Sequence, residues 1–150
     1  MARLLFVEHH VPTRSICCRF LRARGHEVLE ACNGQSALGV ARRRKLDVLI
    51  TDWCLPDMTT DQLLERLDQV HPIPVILFTN QPHLCTSAAD NARIRGVIPK
   101  AADLGPLLKM IQEVCGGAKS PPHPDSQLRI HLADSGNAPP HFQFTETPSC

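Results

Sequence analysis

The chain has 150 residues, which is enough for one domain with a well-developed hydrophobic core. Hydrophobic residues make up 43% and charged residues 21% of it, and the formal net charge is +1, so composition gives no reason to expect nucleic acid as a partner. No run approaches the roughly 18 apolar residues of a membrane span. The N-terminal MARLLFVEHH is a poor signal peptide because Glu8 and two histidines interrupt its apolar run. We therefore expect a cytoplasmic protein without membrane insertion.

The cysteines give no sign of a metal centre or of disulfides. No pair has CxxC spacing and the total of seven is odd, which disfavours both a zinc site and a disulfide framework. We interpret them as small apolar residues that are buried in a reducing compartment. They occupy positions 17, 18, 32, 54, 85, 115 and 150.

Over the first 115 residues, apolar strand-like runs alternate with amphipathic segments. The strands are expected at 4–7, 26–30, 47–51, 74–78 and 96–98. The helices are expected at about 13–24, 37–45, 61–70, 84–93 and 104–115, of which 84–93 has the weakest pattern. On the first helix, the apolar face is predicted to comprise Ile16, Cys17, Phe20 and Leu21.

This alternation predicts an α/β fold with a five-stranded parallel sheet and helices on both faces. The runs at 4–7, 48–50 and 75–78 are apolar throughout, as strands buried on both faces should be. The basic run 42–45 is interpreted as cations that favour a helix C-terminus, in preference to a nucleic-acid patch.

Polar residues follow four of the five predicted strands. Glu8 and His9 come after the first strand, Asp52 after the third, Thr79 after the fourth and Lys100 after the fifth. Ligands of open α/β sheets bind beyond the carboxyl ends of the strands. We therefore expect these side chains to converge on one crevice.

Three segments resemble the receiver domain family of response regulators over about residues 3–115. The segment DVLITDWCLPDM at 47–58 contains Asp52, Pro56 and Met58 at the spacing of the family's phosphorylation motif. The other two segments are PVILFT at 74–79 and GVIPK at 96–100. The resemblance implies a flavodoxin-like, doubly wound sheet with strand order 2-1-3-4-5.

The resemblance also implies roles for the residues of the crevice. Asp52 is the expected phosphoacceptor, Lys100 the cation that contacts a phosphate oxygen, and Thr79 the hydroxyl that reports the phosphoryl group to the fold. The expected metal ligands are Glu8, His9, Asp52 and the backbone carbonyl of Cys54. The implied ion is Mg²⁺ or Mn²⁺, and the implied phosphodonor is a histidine kinase or a phosphotransfer protein.

His9 stands where the family normally has a second carboxylate, and Mg²⁺ prefers oxygen ligands. Three alternatives stay open: a weakened Mg²⁺ site, a degraded site with little metal, and a site retuned for manganese, zinc or another transition ion. Further departures from the family are Thr59-Thr60 in place of Asp-Gly, Val97 in place of the aromatic switch residue, and Ala101 in place of the proline after the lysine.

We predict a receiver domain at 1–116 and a Pro-rich, mostly disordered tail at 117–150 that is too short for an output domain. The expected function is that of a single-domain response regulator in a two-component phosphorelay, which signals to an unidentified protein by direct contact. We expect no catalytic activity beyond phosphoryl acceptance and autodephosphorylation. The alternative is a pseudo-receiver that binds proteins without phosphorylation, and a small metalloenzyme is a remote third possibility.

Overall fold

A computed structural model of the chain describes residues 1–83, 85 and 90–116. Residues 84 and 86–89 of the helix predicted at 84–93, and the whole of the predicted tail at 117–150, lie outside the described residues. The described elements, in chain order, are β1 (Arg3–Val7), α1 (Val11–Ala23), β2 (Glu27–Ala31), α2 (Gly34–Arg43), β3 (Val48–Thr51), α3 (Thr60–Asp68), β4 (Val75–Thr79), β5 (Ile94–Pro99) and α4 (Gly105–Gly116).

The five strands form one parallel sheet in the order β2-β1-β3-β4-β5, which confirms the predicted fold class. The chain winds outward from β1 to β2, and then returns past β1 to add β3, β4 and β5 in succession. The connections that leave β1 and β3 therefore diverge to opposite sides. This topological switch point opens a crevice at the carboxyl ends of the two central strands.

Each face of the sheet is covered by a pair of helices. Helices α1 and α4 pack on one face over Leu4 and Phe6 of β1, and α2 and α3 pack on the other over Leu5 and Val7. The alternation arises because successive side chains of a strand point to opposite faces. On the α1 and α4 face, Phe6 and Phe78 meet edge to face with ring centroids 5.8 Å apart.

The buried face of α1 differs from the predicted one. Thr13, Cys17, Cys18 and Leu21 are the buried residues of this helix, whereas Ile16 is 40% exposed. The prediction that Ile16 belongs to the core was wrong. Successive residues of a helix are rotated by about 100° around its axis. The buried face that contains Thr13, Cys18 and Leu21 therefore leaves Ile16 to one side, where solvent reaches it.

None of the described cysteines forms a disulfide, and only half of them are buried as predicted. Cys17, Cys18 and Cys85 lie in the core, and Cys54 is half-buried. Cys32 and Cys115 are exposed, so for these two the prediction of burial was wrong. Burial raises the pKa of Cys17 and of Cys18 to about 12, which keeps both thiols protonated and unreactive.

None of the helices that the structure describes has the length and apolar character of a membrane span.

The two apolar positions Leu21 and Ile16 on α1 provide a test of the packing. Leu21 is fully buried, so Leu21→Ala should lower the free energy of unfolding by about 2–5 kcal/mol. Ile16→Ala removes a partly exposed side chain and should change the free energy of unfolding by no more than about 0.5 kcal/mol. Urea denaturation of the two variants would measure both effects. A cost for Ile16→Ala as large as that for Leu21→Ala would contradict the assigned face.

Candidate functional site

The predicted crevice lies at the carboxyl edge of the sheet. Glu8 follows β1, Asp52 follows β3, Thr79 ends β4 and Lys100 follows β5. Relative exposure is 0% for Glu8, 3% for Asp52 and 2% for Thr79, so the polar groups are withdrawn from solvent. The parallel register, in which Thr79 is paired with Pro99, brings β4 and β5 to a common end and places Lys100 beside the acids.

The Lys100 ammonium lies between the two buried carboxylates. Its Nζ atom is 2.5 Å from Glu8 Oε2 and 2.6 Å from Asp52 Oδ2, and the lysine side chain is only 1% exposed. Two carboxylates share one ammonium, so the buried group has a formal net charge of −1. A buried charge of this kind is stable only when it is paired and hydrogen-bonded.

The protonation of Lys100 follows from its surroundings. Burial acts to lower its pKa, but the charges of Asp52 and Glu8 and their hydrogen bonds outweigh burial and raise the pKa above the usual value. Lys100 therefore stays cationic in a site with little water. A fixed cation next to a carboxylate is the charge arrangement that phosphoryl transfer needs.

The turn after β1 orients Glu8 and separates the two histidines. Glu8 Oε1 accepts a hydrogen bond from the backbone N–H of His10 at 3.0 Å, and the Arg14 guanidinium donates to the Glu8 carbonyl at 2.7 Å. His9 Nδ1 lies 3.4 Å from Glu8 Oε1, and its side chain is 35% exposed. The His10 ring turns away, and caps α1 through contacts with the backbone N–H and hydroxyl of Thr13.

The loop between β3 and α3 surrounds Asp52 and is held by a threonine that the sequence analysis missed. Thr60 is buried, and its hydroxyl lies 2.9 Å from the carbonyl oxygen of Asp52 and 2.6 Å from that of Trp53. The backbone N–H of Cys54 lies 3.4 Å from Asp52 Oδ1, and an antiparallel bridge joins Cys54 to Thr59. The Thr59-Thr60 pair, noted only as a departure from the family, was the available signal for this contact.

Asp57 is a second residue that the sequence analysis did not assign. Its carboxylate accepts hydrogen bonds from the backbone N–H groups of Gly34 (2.8 Å) and Gln35 (2.9 Å), in the first turn of α2. The next residue, Met58, packs against Gly34. The pairing joins positions 23 residues apart, and no local pattern in the sequence indicates it.

Thr79 lies next to Lys100 at the end of β4. The Thr79 carbonyl accepts a hydrogen bond from the Lys100 backbone N–H at 3.1 Å, and the Thr79 hydroxyl accepts one from Gln81 N, also at 3.1 Å. Within the described part of the chain, no hydrogen bond joins Thr79 to Asp52. The structure thus brings Asp52, Lys100 and Glu8 into contact and leaves Thr79 at the adjacent strand end.

Oxygen ligands for a divalent ion are present at this edge. The Glu8 and Asp52 carboxylates and the Cys54 carbonyl suit Mg²⁺, which binds through a few protein oxygens and keeps several waters. The net charge of −1 on the buried group favours a cation. No cluster of three His, Cys, Asp or Glu side chains able to hold a metal is found among the residues described.

An open, mainly apolar cleft of about 350 Å³ adjoins this loop. Trp53, Leu55 and Met58 supply its apolar wall, and the first turn of α3 supplies the opposite side. Neither Asp52 nor Lys100 is among the residues that line the cleft, so the crevice and the cleft are separate features.

A doubly wound sheet with buried acids and a lysine at its switch point is the arrangement that defines receiver domains. The family model described as "Response regulator receiver domain" matches residues 4–112. The chain therefore belongs to the response regulator receiver domain family, and the resemblance inferred from the three sequence segments is confirmed.

Individual proteins agree with this assignment. The chain is 30% identical to the protein PilH of Pseudomonas aeruginosa over 121 residues, which span 78% of the chain and all of PilH. It is 31% identical over 113 residues to a response regulator receiver protein of Anaeromyxobacter sp. strain Fw109-5, and there it spans only 47% of the relative. The crystal structure of the response regulator TrrA of Thermotoga maritima, in complex with Mg²⁺–BeF, shares the fold with a TM-score of 0.68 at 21% identity and covers 76% of the chain and 99% of TrrA.

Removal of the shared ammonium tests the electrostatics of the site. Lys100→Met leaves two buried carboxylates without their cation and should destabilise the fold by about 3–5 kcal/mol. Lys109→Met, which removes an exposed lysine on α4, is the matched control and should cost no more than about 0.5 kcal/mol. In an Asp52→Asn background, Lys100→Met should cost less, because only one buried carboxylate is then left unpaired.

The pH dependence of this effect has a definite sign. Because the pKa of Lys100 is raised in the fold, its stabilisation is fully present below the unfolded value of about 10.4 and is lost as pH rises through the folded pKa. The difference between wild type and Lys100→Met should hold from neutral pH to about pH 10 and shrink only above it. Urea denaturation across this range would measure it, and a difference that disappears near neutral pH would contradict the ion pairing.

Proposed function

We propose that this protein is a single-domain response regulator of a two-component phosphorelay, that Asp52 accepts the phosphoryl group, and that the signal passes on by protein–protein contact. The observation that carries the proposal is the 2.6 Å contact between the buried Asp52 carboxylate and the buried Lys100 ammonium. A carboxylate held at a sheet edge next to a fixed cation is suited to attack phosphorus and to keep the charged product in place.

The transfer proceeds by displacement at phosphorus. An Asp52 carboxylate oxygen forms the new P–O bond while the P–N bond of a phosphohistidine on the donor breaks, and the departing imidazole keeps the electron pair. Lys100 moves from the carboxylate toward a phosphoryl oxygen, and it neutralises charge there. Hydrolysis of the acyl phosphate by water regenerates Asp52 and releases phosphate.

Glu8, Asp52 and the Cys54 carbonyl would hold a Mg²⁺ or Mn²⁺ ion, with His9 next to them as a poor substitute for a carboxylate. Such an ion, when bound, offsets the negative charge of the phosphoryl oxygens and of the two carboxylates. The complex of TrrA with Mg²⁺–BeF supports this part of the proposal. We propose a weakened Mg²⁺ site in preference to a retuned one, because all three proximal ligands other than His9 are oxygens.

Thr79 is positioned to report the phosphoryl group. Its hydroxyl accepts a hydrogen bond from Gln81 N, so in the unphosphorylated state it stabilises the start of the segment after β4. When the hydroxyl rotates to donate a hydrogen bond to a phosphoryl oxygen, its lone pairs point in a different direction. The hydrogen bond that it accepts from Gln81 N is then altered. Residues 80–83, which follow β4, then shift between two arrangements, which is the form of a phosphorylation switch.

The donor approaches over α1. Val11 is 60% exposed and Ile16 40% exposed, and both lie on the helix that begins directly after Glu8 and His9. Exposed apolar side chains next to a reactive group suit the docking of a histidine kinase or a phosphotransfer protein.

We take residues 1–116 as the receiver unit, since the family match ends at 112 and α4 ends at Gly116. The free thiols fit a cytoplasmic setting.

A pseudo-receiver is the second candidate function. The exposed imidazole of His9 at a position that should carry a carboxylate favours it, because loss of one acid weakens Mg²⁺ binding. In that case the fold binds its partner without phosphorylation, and the Glu8–Lys100–Asp52 group serves only to stabilise the sheet edge.

Phosphorylation of Asp52 can be tested directly. Incubation with acetyl phosphate and Mg²⁺ should add one phosphoryl group to wild type, in a form that is stable in acid and labile in base, and none to Asp52→Asn. Asp61→Asn, which removes an exposed acid in the first turn of α3, should behave as wild type. Intact-protein mass spectrometry gives the count. No incorporation into wild type with Mg²⁺ or Mn²⁺, under conditions that label a conventional receiver, would favour the pseudo-receiver.

The effect of His9 on metal binding is a separate test. His9→Asp supplies the missing carboxylate and should lower the Mg²⁺ concentration for half-saturation by about 10-fold, as followed by the fluorescence of Trp53. His10→Asp is the matched control, because it adds the same charge one residue further on. His10 is the N-cap residue of α1, and an Asp at this position would also cap the helix. Equal effects of the two substitutions would show that charge alone, and not coordination, determines affinity.

A further inference from the structure

The N-terminus of α2 is capped from two directions. Asn33 caps it locally, since its side chain accepts from Ser36 N at 2.8 Å and the Ser36 hydroxyl completes a capping box. The N–H groups of Gly34 and Gln35 are left for Asp57, which accepts one with each carboxylate oxygen. An anionic acceptor at a helix N-terminus is favourable both as a hydrogen-bond partner and through the helix dipole.

A close packing contact reinforces this cap. Met58 lies so near Gly34 that a Cβ atom at position 34 would overlap the Met58 sulfur and Cγ. Any larger residue at position 34 would therefore force the Met58 side chain to move. We call the Asp57 hydrogen bonds and the Met58–Gly34 contact the α2 clamp.

The α2 clamp acts on the loop that surrounds the phosphoacceptor. The bridge between Cys54 and Thr59 closes residues 54–59 into a short loop, and Thr60 binds the carbonyl oxygens at the base of the loop. The tip of the loop, at Asp57 and Met58, is fixed to α2. The loop thus has one attachment at its base, where Cys54 pairs with Thr59, and one at its tip, where Asp57 binds α2.

We infer that Asp57 is a positioning residue for the divalent ion: by fixing the loop tip to α2, it holds the Cys54 carbonyl in place next to the Asp52 carboxylate. The inference rests on the proposed function, because it assigns Asp57 a role in the metal site which that function requires. Asp57 itself points to α2 and contacts no group of the crevice among the described residues. Its effect on the ion passes through the backbone of residues 54–57.

The physical basis is preorganisation. A backbone carbonyl is a good Mg²⁺ ligand only if it is already fixed when the ion arrives, since otherwise the cost of ordering the loop is subtracted from the binding free energy. Outer residues that orient direct ligands typically change metal affinity by about 10–100-fold when they are lost. In this chain we expect the effect to be larger than with a complete acidic pair, because imidazole is a poor Mg²⁺ ligand and the Cys54 carbonyl would then supply a greater share of the oxygen ligands.

The test compares two caps of the same helix. Asp57→Asn retains one acceptor oxygen and loses the anion and the paired hydrogen bonds, whereas Asn33→Ala removes the local cap of α2 without touching the β3–α3 loop. Asn33→Ala should lower the free energy of unfolding by about 1 kcal/mol. Urea denaturation measures the free energy of unfolding of both variants, so that their losses of stability can be compared. Metal binding is followed by the fluorescence of Trp53 during titration of the full chain with Mg²⁺, with and without beryllofluoride.

We expect Asp57→Asn to raise the Mg²⁺ concentration for half-saturation by about 10-fold, and Asn33→Ala to leave it within about 2-fold of wild type. The rate of phosphorylation by acetyl phosphate should fall in Asp57→Asn at low Mg²⁺ and recover at saturating Mg²⁺, a separation that loss of stability alone does not produce. Met58→Ala, which removes only the packing half of the α2 clamp, should act in the same direction and keeps the test available if Asp57→Asn folds poorly.

The outcomes separate the two proposals. A wild type that binds Mg²⁺ and takes up the phosphoryl group, together with an Asp57→Asn variant of unchanged Mg²⁺ affinity, overturns the positioning role and leaves the proposed function intact. Equal losses in Asp57→Asn and Asn33→Ala also overturn it, because they trace the effect to α2 stability. A wild type that responds to neither Mg²⁺ nor beryllofluoride rejects the proposed function and the positioning role together.

Discussion

The pairing of one buried ammonium with two buried carboxylates is the interaction on which the rest of this structure depends. Lys100 reaches Glu8 and Asp52 only because β1, β3 and β5 end at the same edge of the sheet. The ion pairs of Lys100 therefore form only with this strand order. They favour this strand order over others through polar contacts that a purely apolar core would not supply. The same two acids keep the Lys100 ammonium protonated in a site that excludes most water, because their charges and hydrogen bonds raise its pKa.

Next to this charge group, hydrogen bonds to the backbone hold the β3–α3 loop in place at both its base and its tip. Thr60 binds two carbonyl oxygens at the base of the β3–α3 loop, and Asp57 binds two N–H groups of α2 from its tip. Both contacts restrain the segment next to Asp52. In the proposed metal site, where His9 stands in place of a carboxylate, a loop held at both ends would limit the cost of ordering the remaining oxygen ligands.

The fold and the centre of the site could be predicted from the sequence, because both follow from rules that act on strands. Buried apolar runs identify the parallel strands, and the carboxyl-end rule then groups Asp52, Lys100 and Glu8. The contacts of Asp57 and Thr60 could not be predicted, since they depend on how closely α2 and the loop approach in three dimensions. The prediction that Ile16 is buried failed for a related reason. The helical period of apolar residues does not by itself determine which face of a short helix packs against the sheet.

A crystal structure of the full chain with Mg²⁺ and beryllofluoride tests the central claim most directly. The expected result is beryllium bonded to an Asp52 carboxylate oxygen, with fluorides within hydrogen-bond distance of Lys100 Nζ and the Thr79 hydroxyl, and with Thr79 released from Gln81. A structure in which beryllofluoride is absent from Asp52 at saturating concentration, while Lys100 still bridges Glu8 and Asp52, would contradict it and would identify the charge group as purely structural.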